Sequence, residues 1–310
     1  MKTGFLFSGQ GAQIPGMMKD LYDTEPAARA VFDCADQVLG RKISEICFEG
    51  TQDDLNLTHN TQPCMLAGDL AAGMVLKAHG IMADAAAGFS LGEYAALCYA
   101  GALSMEDAFR IIQIRADAMQ EAVKPGDGAM AAFIGASAKQ VEDLCAQVTD
   151  GYVVAANYNS PVQTVVSGSA GGVDEACRLA EEADLRCKKL AVSAPFHCAL
   201  MEPAALKLQE VFEAVSFQDP VIPVYMNVDA KPVTGAGAIP GLLVRQAVSP
   251  VLWVQTLERM QADGIDTFVE CGVGKTLAGL VKKTLKGVTV YRAGDVRNMG
   301  KALAGFTDAD

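Results

Sequence analysis

The stretch Gly88-Phe89-Ser90-Leu91-Gly92 constrains this chain more than any other. A run of small apolar residues, Ala83 to Ala87 interrupted by Asp84, leads into it, and a helix-forming run, Glu93 to Ala100, leads away. Gly-x-Ser-x-Gly between strand and helix is the pattern of a nucleophile elbow, in which a serine occupies a strained bend. The flanking glycines let strand and helix approach closely around the turn. In such a turn the Ser90 hydroxyl projects into a cleft. The Leu91 N–H then lies at a helix N-terminus, aimed at developing negative charge. The same residues also suit an ordinary strand-to-helix turn with a serine N-cap, so the rest of the chain has to decide.

A chain of 310 residues with 51% hydrophobic content can bury a large core, as one domain with a sub-domain or as two domains. No stretch approaches the roughly 18 apolar residues of a membrane span, and the short apolar start before Ser8-Gly9-Gln10-Gly11 does not read as a signal peptide. Nine cysteines, an odd number without a Cys-x-x-Cys pair, read as buried thiols in a reducing compartment, which makes a cytoplasmic protein the expectation. Histidines at 59, 79 and 197 are too scattered for a zinc site, and a net charge of −12 argues against nucleic acid as a partner. No metal site is expected. The chain is expected to act as a monomer.

Lys2 to Phe7 reads as a buried first strand that ends in Gly9-Gln10-Gly11, a loop whose N–H groups can face a ligand. The Gln10 N–H is the candidate second oxyanion donor. Helices are expected from about Ala27 to Leu39 and from Pro63, in a first helical turn, to His79, with Gly80 just past the end. From Ser104 to about Val123, Ala108, Ile112, Met119 and Ala122 recur at helical spacing, and Arg115 falls within that apolar stripe. A buried arginine is costly unless a carboxylate meets it. Ile111, Ile112, Ala118 and Met119 exclude an acid from the same helix. Either an acid from elsewhere in the fold pairs with Arg115, or its head reaches water, or a substrate brings the carboxylate.

Lys124-Pro125-Gly126-Asp127-Gly128 marks a boundary. Beyond it the pattern runs strand (Ala129 to Ile134), helix (Ala138 to Val148), strand (Tyr152 to Asn157), strand (Gln163 to Ser167), helix (Val173 to Ala183), strand (Arg186 to Val192). That β-α-β-β-α-β order is ferredoxin-like. It defines an inserted sub-domain, residues 126–193, between the two parts of a larger body, 1–125 and 194–310. His197, in Ala194-Pro195-Phe196-His197, stands where the chain re-enters that body. It is the strongest of the three histidines as a base for Ser90. No acid for a classical triad can be singled out, and a backbone carbonyl is an alternative means of orienting the ring. In the last third, strands are expected at Pro223 to Asn227 and Thr267 to Glu270, and helices at Leu242 to Ala247 and Thr256 to Ala262. Gly272-Val273-Gly274-Lys275-Thr276 lacks the first glycine of a P-loop, because residue 269 is valine, and reads as a βα turn. Lys188 and Lys189, and Lys282, Lys283 and Lys286, form basic patches on an acidic chain, each an ordinary solvated face unless an acidic partner exists.

Six segments in this order resemble the malonyl-CoA:acyl carrier protein transacylases, over residues 4 to about 292. They are Phe7-Ser8-Gly9-Gln10-Gly11-Ala12-Gln13, Gly88 to Tyr94, Gln113-Ile114-Arg115, Asn157-Tyr158-Asn159-Ser160-Pro161, Pro195-Phe196-His197 and Arg245 to Val251. The resemblance implies an α/β-hydrolase-like core with an inserted ferredoxin-like (β-α-β-β-α-β) sub-domain. It also implies roles: Ser90 as nucleophile, His197 as base, Arg115 as clamp for the malonyl carboxylate, and the N–H groups of Gln10 and Leu91 as the oxyanion hole. Gln246 would orient His197 through its main-chain carbonyl, and Phe89, Phe196 and Asn157 would line the pocket. Malonyl-CoA and the phosphopantetheine arm of acyl carrier protein would be the substrates, with no cofactor, feeding fatty acid or polyketide synthesis. The basic patches would then meet an acidic carrier protein. Many members carry histidine at the position of Phe89 and proline at that of Ser8. Phe196 resembles the malonyl-selective form of its motif. Two other classes fit parts of the pattern: a thioester hydrolase, since the same elbow serves water, and a non-catalytic module that binds carrier protein.

Overall fold

The computed structural model describes residues 1–192 and 194–307. Ser193, the expected end of the insertion, lies outside the described residues. Among the described residues ten strands form: β1 Thr3–Phe7, β2 Ala85–Gly88, β3 Gly128–Ile134, β4 Val153–Ser160, β5 Gln163–Ser169, β6 Arg186–Lys189, β7 Val224–Tyr225, β8 Pro232–Val233, β9 Thr267–Cys271 and β10 Thr289–Arg292. They assemble into two sheets.

The six-stranded sheet has the order β10-β9-β1-β2-β7-β8, with every pair parallel except the β7–β8 edge. Every residue of β1, β2 and β9 is buried. That follows from their composition: helices cover both faces of a parallel sheet, so its central strands lack an alternating polar side. β1 and β2 lie side by side, Phe7 opposite Gly88, so the loop after β1 and the elbow after β2 emerge together at the carboxyl edge of the sheet. Ligands of open parallel sheets bind at that edge.

The four-stranded sheet, order β4-β5-β3-β6, is wholly antiparallel. With the helices Ala138–Cys145 and Ala170–Glu182 it realises the β-α-β-β-α-β order read from the sequence, with its own apolar cluster around Phe133, Val141, Val166 and Val173. The fold is thus an α/β-hydrolase-like core carrying a ferredoxin-like antiparallel sheet. Asn157 of β4 bridges to Val251 of the large body, and Tyr158 N–H donates to the Val251 carbonyl at 2.9 Å, which draws the small sheet over the elbow.

Three expectations need correction. The helix expected from Pro63 begins at Thr58, so Pro63 lies inside it and not in the first turn. Proline leaves the carbonyl four residues earlier without its helical donor. Here that carbonyl, on His59, accepts from Arg41 Nη2 at 2.8 Å, which makes the interior proline tolerable. β6 stops at Lys189; Leu190 keeps one hydrogen bond to Met130 of β3, and Leu190 to Val192 wall a cavity. The cysteines are not all thiols, since Cys177 and Cys187 are joined as a disulfide between the Ala170–Glu182 helix and β6. Among the described residues, no helix is long and apolar enough to cross a membrane, and no group of His, Cys, Asp and Glu forms a metal cluster.

Candidate active site

Ser90 occupies a left-handed bend, φ +55°, between β2 and the helix Gly92–Tyr99. The two flanking glycines are sterically required. A Cβ on Gly88 would overlap the Gly92 carbonyl, and one on Gly92 would overlap the Phe7 carbonyl. A positive φ at a non-glycine residue is costly and persists only where the surroundings enforce it. Asn227 enforces it here. Its Oδ1 accepts from the Ser90 N–H at 2.7 Å and its Nδ2 donates to the Gly88 carbonyl at 2.7 Å, which clamps both limbs of the turn.

The Ser90 hydroxyl lies 2.7 Å from His197 Nε2. On the far side of the ring, Nδ1 is 2.9 Å from the main-chain carbonyl of Gln246. A carbonyl only accepts, so Nδ1 carries the proton and Nε2 presents a lone pair to Ser90. Burial and then the nearby Arg115 cation hold the His197 pKa down at about 4, against the pull of the Gln246 carbonyl. The ring is therefore neutral at physiological pH, with the Nε2 lone pair free. His197 itself takes φ +61° just after Pro195-Phe196.

Arg115, 2% exposed, points from the helix Met105–Glu121 into the same place. Its Nη1 donates to Gln62 Oε1 at 2.7 Å, and its Nη2 to Ser90 Oγ at 3.1 Å and to Gln246 Oε1 at 3.2 Å. The guanidinium lies 5.5 Å from the centroid of the Tyr94 ring, and its Nε has no hydrogen-bond partner. Among the described residues no carboxylate forms an ion pair with it. Of the three possibilities for this arginine, an ion pair with an acid from elsewhere and escape of the head to water are both absent. The N–H groups of Gln10 and Leu91 donate to no protein acceptor among the described residues, and both residues border the same cavity of about 480 Å³. Serine, neutral imidazole, free amides and buried cation together equip this cavity for acyl transfer at an ester or thioester whose acyl group carries an anion.

The family model described as acyl transferase domain matches residues 4–306. Malonyl CoA-acyl carrier protein transacylase of Bacillus subtilis (strain 168) is 43% identical over 305 residues, covering 97% of this chain and 96% of that one. The chain belongs to the malonyl-CoA:acyl carrier protein transacylase family. The protein of the same name from Escherichia coli (strain K12) is 39% identical, covering 96% of this chain and 98% of its own. Among solved structures, the acyl-carrier-protein S-malonyltransferase of Burkholderia pseudomallei 1710b superposes with a TM-score of 0.95 at 39% identity, over 98% of this chain and all of that one. A malonyl-transacylase solved in complex with a type II polyketide synthase acyl carrier protein matches with a TM-score of 0.95 at 37% identity, over 98% of this chain and 100% of that one.

In this transacylase-family chain, Phe89, Phe196 and Asn157 all border the cavity. Phe89 packs edge-on against Trp253, ring centroids 5.2 Å apart. Lys188 and Lys189 immediately precede the cavity wall Leu190–Val192, and Lys282 and Lys283 follow the wall residue Leu280 on the helix Thr276–Thr284. Lys286 lies just beyond that helix. All five are exposed, and Lys189 pairs with Asp174. His59 and His79 lie elsewhere at the surface, held by Asp117 and Glu25. The turn Gly272–Lys275 offers its helix no anion site, because the Glu270 carboxylate already accepts from Leu277 and Ala278 N–H at 2.9 Å.

Sequence reasoning missed Gln62, Asn227 and Glu93. Gln62 and Asn227 carry no local signal, being ordinary polar residues in a helix and after a short strand. Glu93 does carry one. It is the single charge at the head of an otherwise apolar helix, where a buried acid demands donors. Its Oε2 accepts from Gln246 Nε2 at 2.7 Å and its Oε1 from the Asn227 N–H.

Proposed function

We propose that this protein transfers malonyl groups from malonyl-CoA to the phosphopantetheine thiol of an acyl carrier protein, for fatty acid or polyketide synthesis. Ser90 Oγ attacks the thioester carbonyl as His197 Nε2 takes its proton. The oxyanion rests on the Gln10 and Leu91 N–H groups, and the tetrahedral intermediate collapses with loss of the coenzyme A thiol. His197 returns its proton to that leaving thiol. The carrier-protein thiol then attacks the malonyl-Ser90 ester through the same steps in reverse. Gln246, through its carbonyl, keeps His197 in the tautomer this needs, and no step calls for a metal or redox cofactor.

The observation that carries the reading is Arg115: a buried guanidinium beside the Ser90 hydroxyl without a carboxylate of its own. A malonyl carboxylate meets it with two parallel hydrogen bonds. Phe89, Phe196 and Asn157 shape the remaining pocket. In this reading residues 1–125 and 194–310 form the catalytic body and 126–193 a smaller sub-domain over the cleft. The five lysines at the cleft rim receive the acidic carrier protein, and the protein works as a cytoplasmic monomer. Intact-mass measurement after mixing with malonyl-CoA tests the chemistry: a stable malonyl adduct, lost in Ser90→Ala and cleared by carrier protein, is expected. Absence of any adduct excludes the enzymatic reading, and rapid clearance by water alone makes the protein a hydrolase.

A further inference from the structure

Gln246 is the hub through which the parts of the cleft are held together. Its main-chain carbonyl accepts from His197 Nδ1, and its side-chain Oε1 accepts from Arg115 Nη2 at 3.2 Å. Its Nε2 donates to the Ser90 carbonyl and to Glu93 Oε2, both at 2.7 Å. A primary amide has two faces, and swapping them would turn N–H donors onto the guanidinium. Something must therefore hold Oε1 toward Arg115. Two acceptors on Nε2 do so together, the Ser90 carbonyl and the Glu93 side chain. Glu93 is fully buried, and its two oxygens meet two donors from different parts of the chain, the Gln246 amide and the Asn227 N–H. Only a carboxylate supplies an acceptor to both. Burial pushes the Glu93 carboxyl up to about 8, against the pull of those two donors and of the Arg115 cation. That value alone would leave the group largely protonated at neutral pH, but with a donor on each oxygen an acid proton would find no acceptor, and this hydrogen-bond geometry decides for the ionised form.

We propose that Glu93 is a specificity-determining positioning residue, which locks the Gln246 amide so that Arg115 is held ready for the acyl carboxylate. Glu93 also supplies buried negative charge one side chain away from the guanidinium, offsetting part of the cost of keeping that cation dry while the cleft is empty. Direct pairing would cancel Arg115 as a receptor. Relaying the charge through a neutral amide leaves the guanidinium with neutral partners only, which a substrate carboxylate can displace.

The inference rests on the malonyl-transfer reading and predicts an effect on selectivity. In Glu93→Gln the new amide has one acceptor oxygen for two donors. The Asn227 N–H belongs to the fixed backbone and retains it, so the nitrogen of the new amide faces Nε2 of Gln246. The Gln246 amide then keeps only the Ser90 carbonyl as an acceptor and is pushed off by the facing nitrogen, so Oε1 shifts away from Arg115 and the guanidinium is displaced. His197, held by the main chain, keeps its place. The measurement is the rate of Ser90 acylation by malonyl-CoA and by acetyl-CoA in the full-length chain. The malonyl-to-acetyl ratio should fall by about tenfold or more in Glu93→Gln, the usual scale for leaving a buried charged group mispaired, with acetyl loading little changed. In a Gln246→Met background the same substitution should lower the ratio no further. An unchanged ratio, or an equal loss on both substrates, overturns the proposal and leaves Glu93 as a support of the fold. If Glu93→Gln does not fold, Glu93→Asp reads the same quantity, since its carboxylate is one methylene short of spanning Asn227 and Gln246 together. An unchanged ratio there overturns the proposal equally. Wild-type protein that acquires no malonyl group would instead reject the malonyl-transfer reading itself, so the two failures are distinguishable.

Discussion

Arg115 Nη2 lies 3.1 Å from Ser90 Oγ, and the same nitrogen reaches Gln246 Oε1 at 3.2 Å. The cation proposed to receive the far end of the acyl group therefore touches the nucleophile itself when the cleft is empty. A malonyl carboxylate bound as proposed would draw the guanidinium to itself and leave the Ser90 oxygen to His197 alone. In that proposal, acceptance of substrate and release of the nucleophile are one event.

Arg115→Ala should lose malonyl loading and gain relatively on acetyl-CoA. A malonyl carboxylate gains a buried pair with the guanidinium that a neutral acyl group cannot form, on the scale of the about 3–5 kcal/mol lost when a buried pair is broken. Even a solvent-relaxed fraction of that cost disfavours acetyl by about a hundredfold at roughly 1.4 kcal/mol per tenfold. Arg115→Lys should rescue poorly, because a point charge cannot reproduce the planar fork. Acylation rates on both substrates in wild type and the two variants decide; a constant ratio would mean that Arg115 serves the fold.

The pH profile of malonyl loading should be set on its acid side by His197. Its pKa is depressed by burial first and by Arg115 second, to about 4. Below that value Nε2 is protonated and cannot accept the Ser90 proton; above it the lone pair is free. Loading should therefore stay level from neutral pH down to about 5 and fall to half near pH 4. The depressed value has a matching sign in stability: the contribution is complete above the unfolded pKa near 6.5 and is lost as pH falls through about 4. In Arg115→Ala the acid limb should move upward, because the repelling cation is gone. His197→Ala should slow acylation by about 10²- to 10⁴-fold, whereas His59→Ala and His79→Ala should be near silent. A wild-type midpoint at 6.5 would contradict the buried, neutral ring.

Asn227→Ala should damage both stability and loading. It leaves the Ser90 N–H and the Gly88 carbonyl without partners in a dry turn, each worth about 1–3 kcal/mol when unsatisfied. Denaturant unfolding should show a loss of about 2–4 kcal/mol, since some relaxation is available to the turn. Asn227→Asp should not restore the wild-type value, because its carboxylate still accepts from Ser90 but repels the Gly88 carbonyl. Wild-type unfolding in Asn227→Ala would show that the glycines alone hold the bend.

Charge reversal at Lys188, Lys282, Lys283 and Lys286 should raise KM for carrier protein and leave malonyl-CoA loading unchanged, as rim charges act on encounter more than on chemistry. Lys189, already paired with Asp174, should contribute less than its neighbour. Equal damage to both half-reactions would remove these lysines from the docking surface.

What could be read from the chain by itself was whatever depends on a few consecutive residues. The elbow was legible because Gly88, Ser90 and Gly92 meet steric demands within five positions, and Arg115 because a charge inside a 3.6-residue apolar stripe must be buried. The order of elements from 128 to 189 was legible because strand and helix periods differ. The interior placement of Pro63 was not, since the group that excuses it is Arg41, brought from another helix connection. Nor was the Cys177–Cys187 pairing, which depends on how a helix lies against β6. The partners of the site were the least accessible of all. Asn227 reaches Ser90 across 137 residues, Gln62 reaches Arg115 across 53, and Gln246 reaches Glu93 across 153. A buried polar group must find a partner, which local sequence can announce; which residue answers is decided only when sheet order and helix packing bring distant segments to one edge.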